Sequence, residues 1–180
     1  MLNLLFGPAV NAARAIAFQV NSAVGGFVTN FQTALNPQIV KSYAAEDLNY
    51  MHKLIFQGAK FSFFLFFTIS IPIILETDYI LKLWLKLVPE YTVIFTQLVI
   101  VNVLIDTLSG PLITAAQASG KIKVYQGVIG GLLLLILPIS YTFMKYGYEP
   151  QITHLISIVI SLISFVIRLI ILKNLIQIIQ

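Results

Sequence analysis

Apolar runs long enough to cross a bilayer leave this chain few ways to fold. Between Leu54 and Leu75 the only charged side chain is Lys60, and between Ile152 and Leu172 it is Arg168. Such runs are continuous, unlike the apolar–polar alternation of a half-buried strand. An open sheet cannot sit in lipid, because its edge would carry unpaired backbone groups. The expected fold is therefore all-α and integral to the membrane. Charged residues make up 10% of the chain and apolar residues 58%. A soluble fold of 180 residues keeps too much surface exposed to hide that apolar fraction.

Five spans are expected, forming a single transmembrane helical bundle over residues 1–180: about 9–35, 54–75, 91–116, 124–143 and 152–172. Each is near or above the ~20 residues that a helix needs to cross the hydrocarbon core. The first is expected to stop at Asn36-Pro37. The third contains Gly110-Pro111, where a bend is expected because proline removes a backbone donor. Residues 76–90 read as an interfacial amphipathic linker, with Ile80, Leu81, Leu83, Trp84 and Leu87 interleaved with Lys82 and Lys86. Ser119–Lys123 and Lys145–Pro150 read as tight turns.

Several function classes are excluded by what the chain lacks. It has no cysteine and two histidines, His52 and His154, with no spacing that suits a metal. There is no glycine-rich phosphate loop, no hydrolase serine pattern and no catalytic cluster. No catalytic residue, resident cofactor or metal site is expected, and the chain is not expected to be an enzyme. The net charge of +4 is spread between apolar runs, which suits topology-setting loops and not a nucleic-acid patch. The lipid bilayer is the expected partner. Met1–Pro8 lack a charged n-region and a small-residue cleavage site, so no secretory signal peptide is expected there.

Orientation follows from the basic residues. Lys41, Lys53, Lys60, Lys121, Lys123, Arg168 and Lys173 fall on one side, and Lys82, Lys86 and Lys145 on the other. The more basic side is expected to be cytoplasmic, and with it the C-terminus. The first span then enters from outside. Met1–Phe6 resembles the last turns of a preceding helix, so the chain is expected to be the C-terminal part of a larger design.

The first span carries the most information. Asn11, Arg14, Asn21, Ser22, Gly25, Thr29, Gln32 and Asn36 fall within about a 100° sector of one helix. Polar side chains are costly in lipid, so this stripe is expected to face a bundle interior or a watery cavity. It is either the lining of a cavity or glue between helices, with Arg14 paired to a carboxylate. In the third span Asn102, Asp106, Gly110 and Gln117 share a face. Asp106 is a candidate proton or cation site, or the partner of Arg14. Gly127 and Gly131 form a small-xxx-small packing signal, and Pro138 is expected to kink the fourth span. His154, Ser157, Ser161, Ser164 and Arg168 form one stripe on the fifth, with Arg168 expected to snorkel to the interface.

The stretch GPAVNAARAIAFQVNSAVGGFVTNFQTALNPQIVKSYAAEDLNYM (7–51), with ETDYILKLWL (76–85), VPEYT (88–92) and LSGPLITAAQASGKIKVYQ (108–126), resembles the polysaccharide (O-antigen and capsule) flippase-like branch of the multidrug/oligosaccharidyl-lipid/polysaccharide exporter superfamily. The wording is most similar to lipopolysaccharide biosynthesis proteins of Bacteroidetes type. The resemblance covers essentially the whole chain. It implies a fold of twelve or more helices in two bundles, of which this chain would supply most of the C-terminal one. It implies transport of a lipid-linked oligosaccharide across the bacterial inner membrane by alternating access. The partners would be that substrate and the missing N-terminal helices or a complementary chain. One incomplete half is not expected to transport alone. Arg14, in the NAAR stretch, would contact the headgroup or pyrophosphate, and Asn21, Gln32 and Asn36 would line the same path. Asn102, Asp106 and Gln117 join them as substrate-path candidates on the residue argument alone, with coupling to a proton or sodium gradient open. Two other readings stand beside this one: a multidrug or cation antiporter of the same superfamily, and a non-transporting truncated membrane fragment.

Overall fold

The computed structural model describes residues 5–120 and 122–176. The expected helix end at Met1–Phe6 falls mostly outside these residues, as does Lys121. Every regular element among them is a helix: α1 (Pro8–Ala44), α2 (Leu48–Leu75), α3 (Thr77–Trp84), α4 (Thr92–Ala118), α5 (Ile122–Leu134), α6 (Ile136–Lys145) and α7 (Ile152–Ile176).

Local chemistry sets most of the boundaries. Gly7, at φ 82°, turns the chain into α1, and Pro8 follows in the first turn, where its missing N–H costs nothing. Asp47 caps α2, its carboxylate accepting from the Tyr50 N–H at 3.0 Å. At the far end of α2 the Thr77 hydroxyl donates to the Ile73 carbonyl at 2.6 Å, and the Gln97 amide of α4 donates to the Ile74 carbonyl at 3.1 Å. The last carbonyls of α2 are thus satisfied by α3 and α4. Gly147, at φ 90°, lies in the turn between α6 and α7.

Four stretches are long and apolar enough to cross a membrane: Leu48–Leu75, Thr92–Ala118, Ile122–Lys145 and Ile152–Lys173. The protein is thus an all-α, multi-pass membrane protein. The first expected span is the exception, because its amide and hydroxyl stripe lowers its hydropathy. Nor does it stop at Asn36-Pro37: α1 runs through Pro37 for 37 residues, about 55 Å. Tertiary packing outweighs the lost backbone bond there. Asn36 accepts from the Thr114 hydroxyl at 2.8 Å, and Ile39 and Ser42, beyond the proline, are buried. The fourth expected span is two helices, broken at Leu135. The break comes one turn before Pro138, where the ring would crowd the preceding turn.

α4 is the centre, packed against α1, α2 and α7, while the α5–α6 arm leans on α7. The pairings Phe95 with His154, Gln32 with Thr107 and Tyr125 with Arg168 fix the directions. α1, α4 and α7 run one way, and α2 and the α5–α6 arm the other. Outside this packing Phe27, Phe56, Phe61, Phe64 and Ile170 are more than half exposed, the greasy exterior that lipid would cover. Gly127 and Gly131 lie on that exterior with open space around them, so the expected packing role is not observed. Within residues 76–90, expected as an interfacial amphipathic linker, α3 leaves Tyr79, Leu83 and Trp84 exposed and pairs Lys82 with Asp78 at 2.6 Å.

Candidate functional site: a polar cleft between α1 and α4

Pro111 has no backbone N–H, so the Thr107 carbonyl four residues earlier lacks its helical donor. The Gln32 side chain of α1 supplies one, its Nε2 donating to that carbonyl at 2.9 Å. Gly110 makes the approach possible. A Cβ at that position would run into the Gln32 amide. Gly58 of α2 does the same on the other flank, where a Cβ would sit 3.2 Å from both Leu35 and Pro111. Side chains of the neighbouring helices thus pack directly onto the α2 and α4 backbones at these two glycines, and the next tie along α1 is Asn36 with Thr114.

On the other side of Gln32 the two helices stay packed, through Val24 and Val28 against Ile100 and through Ala13 and Ala17 against Phe95 and Val99, and their polar faces flank a groove beside that seam. This groove is a cleft of about 510 Å³ whose polar lining includes Asn21, Ser22, Thr29, Asn30, Gln32, Asp106 and Thr107. Gly25 and Gly26 widen it. Asp106 is the one charged residue lining it, and Asn102 donates to its carboxylate at 2.9 Å. The Oδ1 atoms of Asn21 and Asn102 are buried without a hydrogen-bond partner. Ser22 and Thr29 spend their protons on carbonyls one turn back in their own helix. What the cleft offers is therefore a row of amide and hydroxyl groups with a single acid at mid-helix.

Behind Asp106 the polar line continues. Ser161 of α7 interacts with the Asp106 carboxylate, and the Arg168 charge acts on it. Arg168 is 9% exposed, and its Nη1 donates to the Tyr125 hydroxyl at 2.7 Å. The expected snorkelling is thus not observed: Arg168 turns inward to the phenol. A phenol inside an apolar run needs a polar partner when buried, which is the signal by which Tyr125 could have been found. Thr107, likewise missed, was marked by its place four residues before Pro111.

The sequence candidates divide. Asn21, Gln32 and Asp106 come together in the cleft, with Asn102 bonded to Asp106. Asn36 lies next to it but is occupied by Thr114. Gln117 is exposed in the last turn of α4 and does not line the cleft. Arg14 is not there either. It sits in a second, smaller cleft with Phe18, Ser140 and His154, its guanidinium 5.4 Å from the Phe18 ring centroid. The pairing of Arg14 with Asp106 is not observed, and among the described residues no cation lies within ion-pair distance of Asp106; the Arg168 charge acts on it from farther away. Among the described residues no cluster of His, Cys, Asp or Glu could hold a metal.

No protein-family model, curated protein or solved structure matches the chain.

Proposed function

We propose that this protein is part of a transporter that moves a lipid-linked oligosaccharide across a bacterial inner membrane. The single observation that carries the reading is the α1–α4 cleft. Its lining of amides and hydroxyls inside an apolar bundle suits a sugar, which is neutral and dense in hydroxyl groups, better than an apolar compound. The sequence resemblance to polysaccharide flippases supports the same class. The cleft is walled by two helices and open on its remaining side, which supports a second bundle closing it, supplied by further helices or a complementary chain. Substrate would pass by alternating access between the two. The more basic end of the bundle, with Lys41, Lys53, Lys123 and Lys173, is cytoplasmic in this reading. A multidrug or cation antiporter is the second reading, favoured by Asp106 as the one acid in the cleft.

The test is a pair of substitutions in the native host at normal protein level. Asn21→Ala and Asp106→Asn are each expected to lower surface glycan display about tenfold, the scale of one lost hydrogen bond to a charged or fully desolvated group. Tolerance of cationic dyes should stay unchanged. Normal glycan display with lost dye tolerance would establish the antiporter instead. Neither phenotype would refute both.

A further inference from the structure

The second cleft lies between α1, α6 and α7, and its polar groups have no use in the reading above. It measures about 100 Å³, about a fifth of the α1–α4 cleft, which suits one small polar group. Ser140 and His154 line it at 1% and 7% exposure, yet Ser140 Oγ and His154 Nε2 have no hydrogen-bond partner. Buried polar atoms are almost always paired, so two orphans facing one small cavity mark a place for a ligand. Arg14 stands at its rim with no carboxylate within ion-pair distance among the described residues. A guanidinium, a hydroxyl and an imidazole N–H are all donors. The cavity also touches Thr153 and His154 in the first turn of α7, the positive end of that helix dipole. Arg14, Ser140, the Nε2–H tautomer of His154 and the helix end all suit an oxyanion, while the Thr153 and Ser157 hydroxyls donate to the Pro150 and Thr153 carbonyls and add no donor.

Depth identifies the source of that oxyanion. α1 begins at Pro8, α6 ends at Lys145 and α7 begins at Ile152, so all three reach this end of the bundle close to the cleft. Arg14 is six residues into α1, about 9 Å along its axis. Lys145, Tyr146 and Tyr148 are exposed at the same end, the residue types that gather at headgroup level. The remaining walls are Ser157, Phe18, Ile136 and Leu137, with Phe18 and Leu137 exposed toward the apolar exterior. We propose that this cleft binds the phosphate of a bilayer phospholipid. Arg14 supplies the charge, Ser140 and His154 supply hydrogen bonds, and an acyl chain lies along Phe18 and Leu137. The site is separate from the α1–α4 cleft and does not depend on what that cleft carries.

Native mass spectrometry of the full chain, released from micelles containing either phosphatidylglycerol or diacylglycerol of the same acyl chains, tests this. The wild type is expected to retain one phosphatidylglycerol and no diacylglycerol. Arg14→Gln should weaken retention about tenfold, the scale of one charge-assisted hydrogen bond. Arg14→Lys should retain most of it, and Ser140→Ala should fall between. Arg14 is exposed, so Arg14→Gln should keep wild-type helicity by circular dichroism. Equal retention by wild type and Arg14→Gln would overturn the proposal, and so would equal retention of diacylglycerol. Displacement of the lipid by inorganic phosphate at matched concentration would also overturn it, showing a free-oxyanion site instead.

Discussion

The Thr107 carbonyl has one donor because a glutamine three helices earlier in the sequence reaches it. That bond defines both the narrow point of the bundle and one end of the cleft. Gln32→Leu removes the donor and strands the carbonyl. The expected cost is about 1 kcal/mol, the scale of interhelical hydrogen bonds in bilayers, read from detergent unfolding. Pro111→Ala restores a backbone N–H at residue 111, so the same Gln32→Leu change should then cost less than half as much. An equal cost in both backgrounds would show that Gln32 acts through packing alone. At this scale the sequence was partly readable. Asn21, Gln32 and Asp106 declared themselves by polarity on a helical period within apolar runs. The destination of Arg14 did not, because several directions on α1 are open to a long side chain and only the neighbours decide between them. Arg168 was read as reaching for water, whereas the Tyr125 hydroxyl met it inside the bundle.

Elements were legible where they were long and uniform. α2, α4 and α7 have the expected type and place, since an apolar run of that length has few alternatives. Two punctuation marks misled. Pro37 reads as a stop, yet α1 passes through it because Ile39 and Ser42 pack on the far side. Gly127 and Gly131 read as a packing face, yet both point outward. Spacing reveals that two small residues share a face but not whether another helix covers it. Gly131→Ala is therefore expected to be harmless or to stabilise α5 by about 0.5–1 kcal/mol, since alanine orders a helix better than glycine. Thermal unfolding in detergent measures it, and a loss of stability would place a close neighbour against that glycine. A helix so sparsely partnered depends on α7 for its position, and the Arg168–Tyr125 bond is the polar part of that attachment.

At the scale of the whole molecule, an apolar exterior surrounds the polar α1–α4 cleft. The chain has no cysteine, so single substitutions report on each surface without background. Asn30→Cys, in the cleft, is expected to react with a membrane-impermeant maleimide in reconstituted vesicles. Phe64→Cys, at 52% exposure in the wild type but on the greasy face of α2, is expected to resist it. Exposure to solvent in the bare structure would predict reaction at both; a bilayer separates them. If both react equally, the α2 face is not covered by lipid.

The crowding of Gly58, Gly110, Pro111 and Gln32 has a mechanical meaning as well. Three helices interlocked through glycines at one level would rotate about that level more easily than they would slide. α1 would then act as a rod with a fulcrum at Gln32. Asn21 lies eleven residues along the rod, a lever arm of about 16 Å. A tilt of about 10° at the fulcrum carries Asn21 some 3 Å toward or away from α4, roughly the length of a hydrogen bond. The tight spot at Gly58 and Gly110 is thus also the spot from which a small rotation would change the width of the cleft.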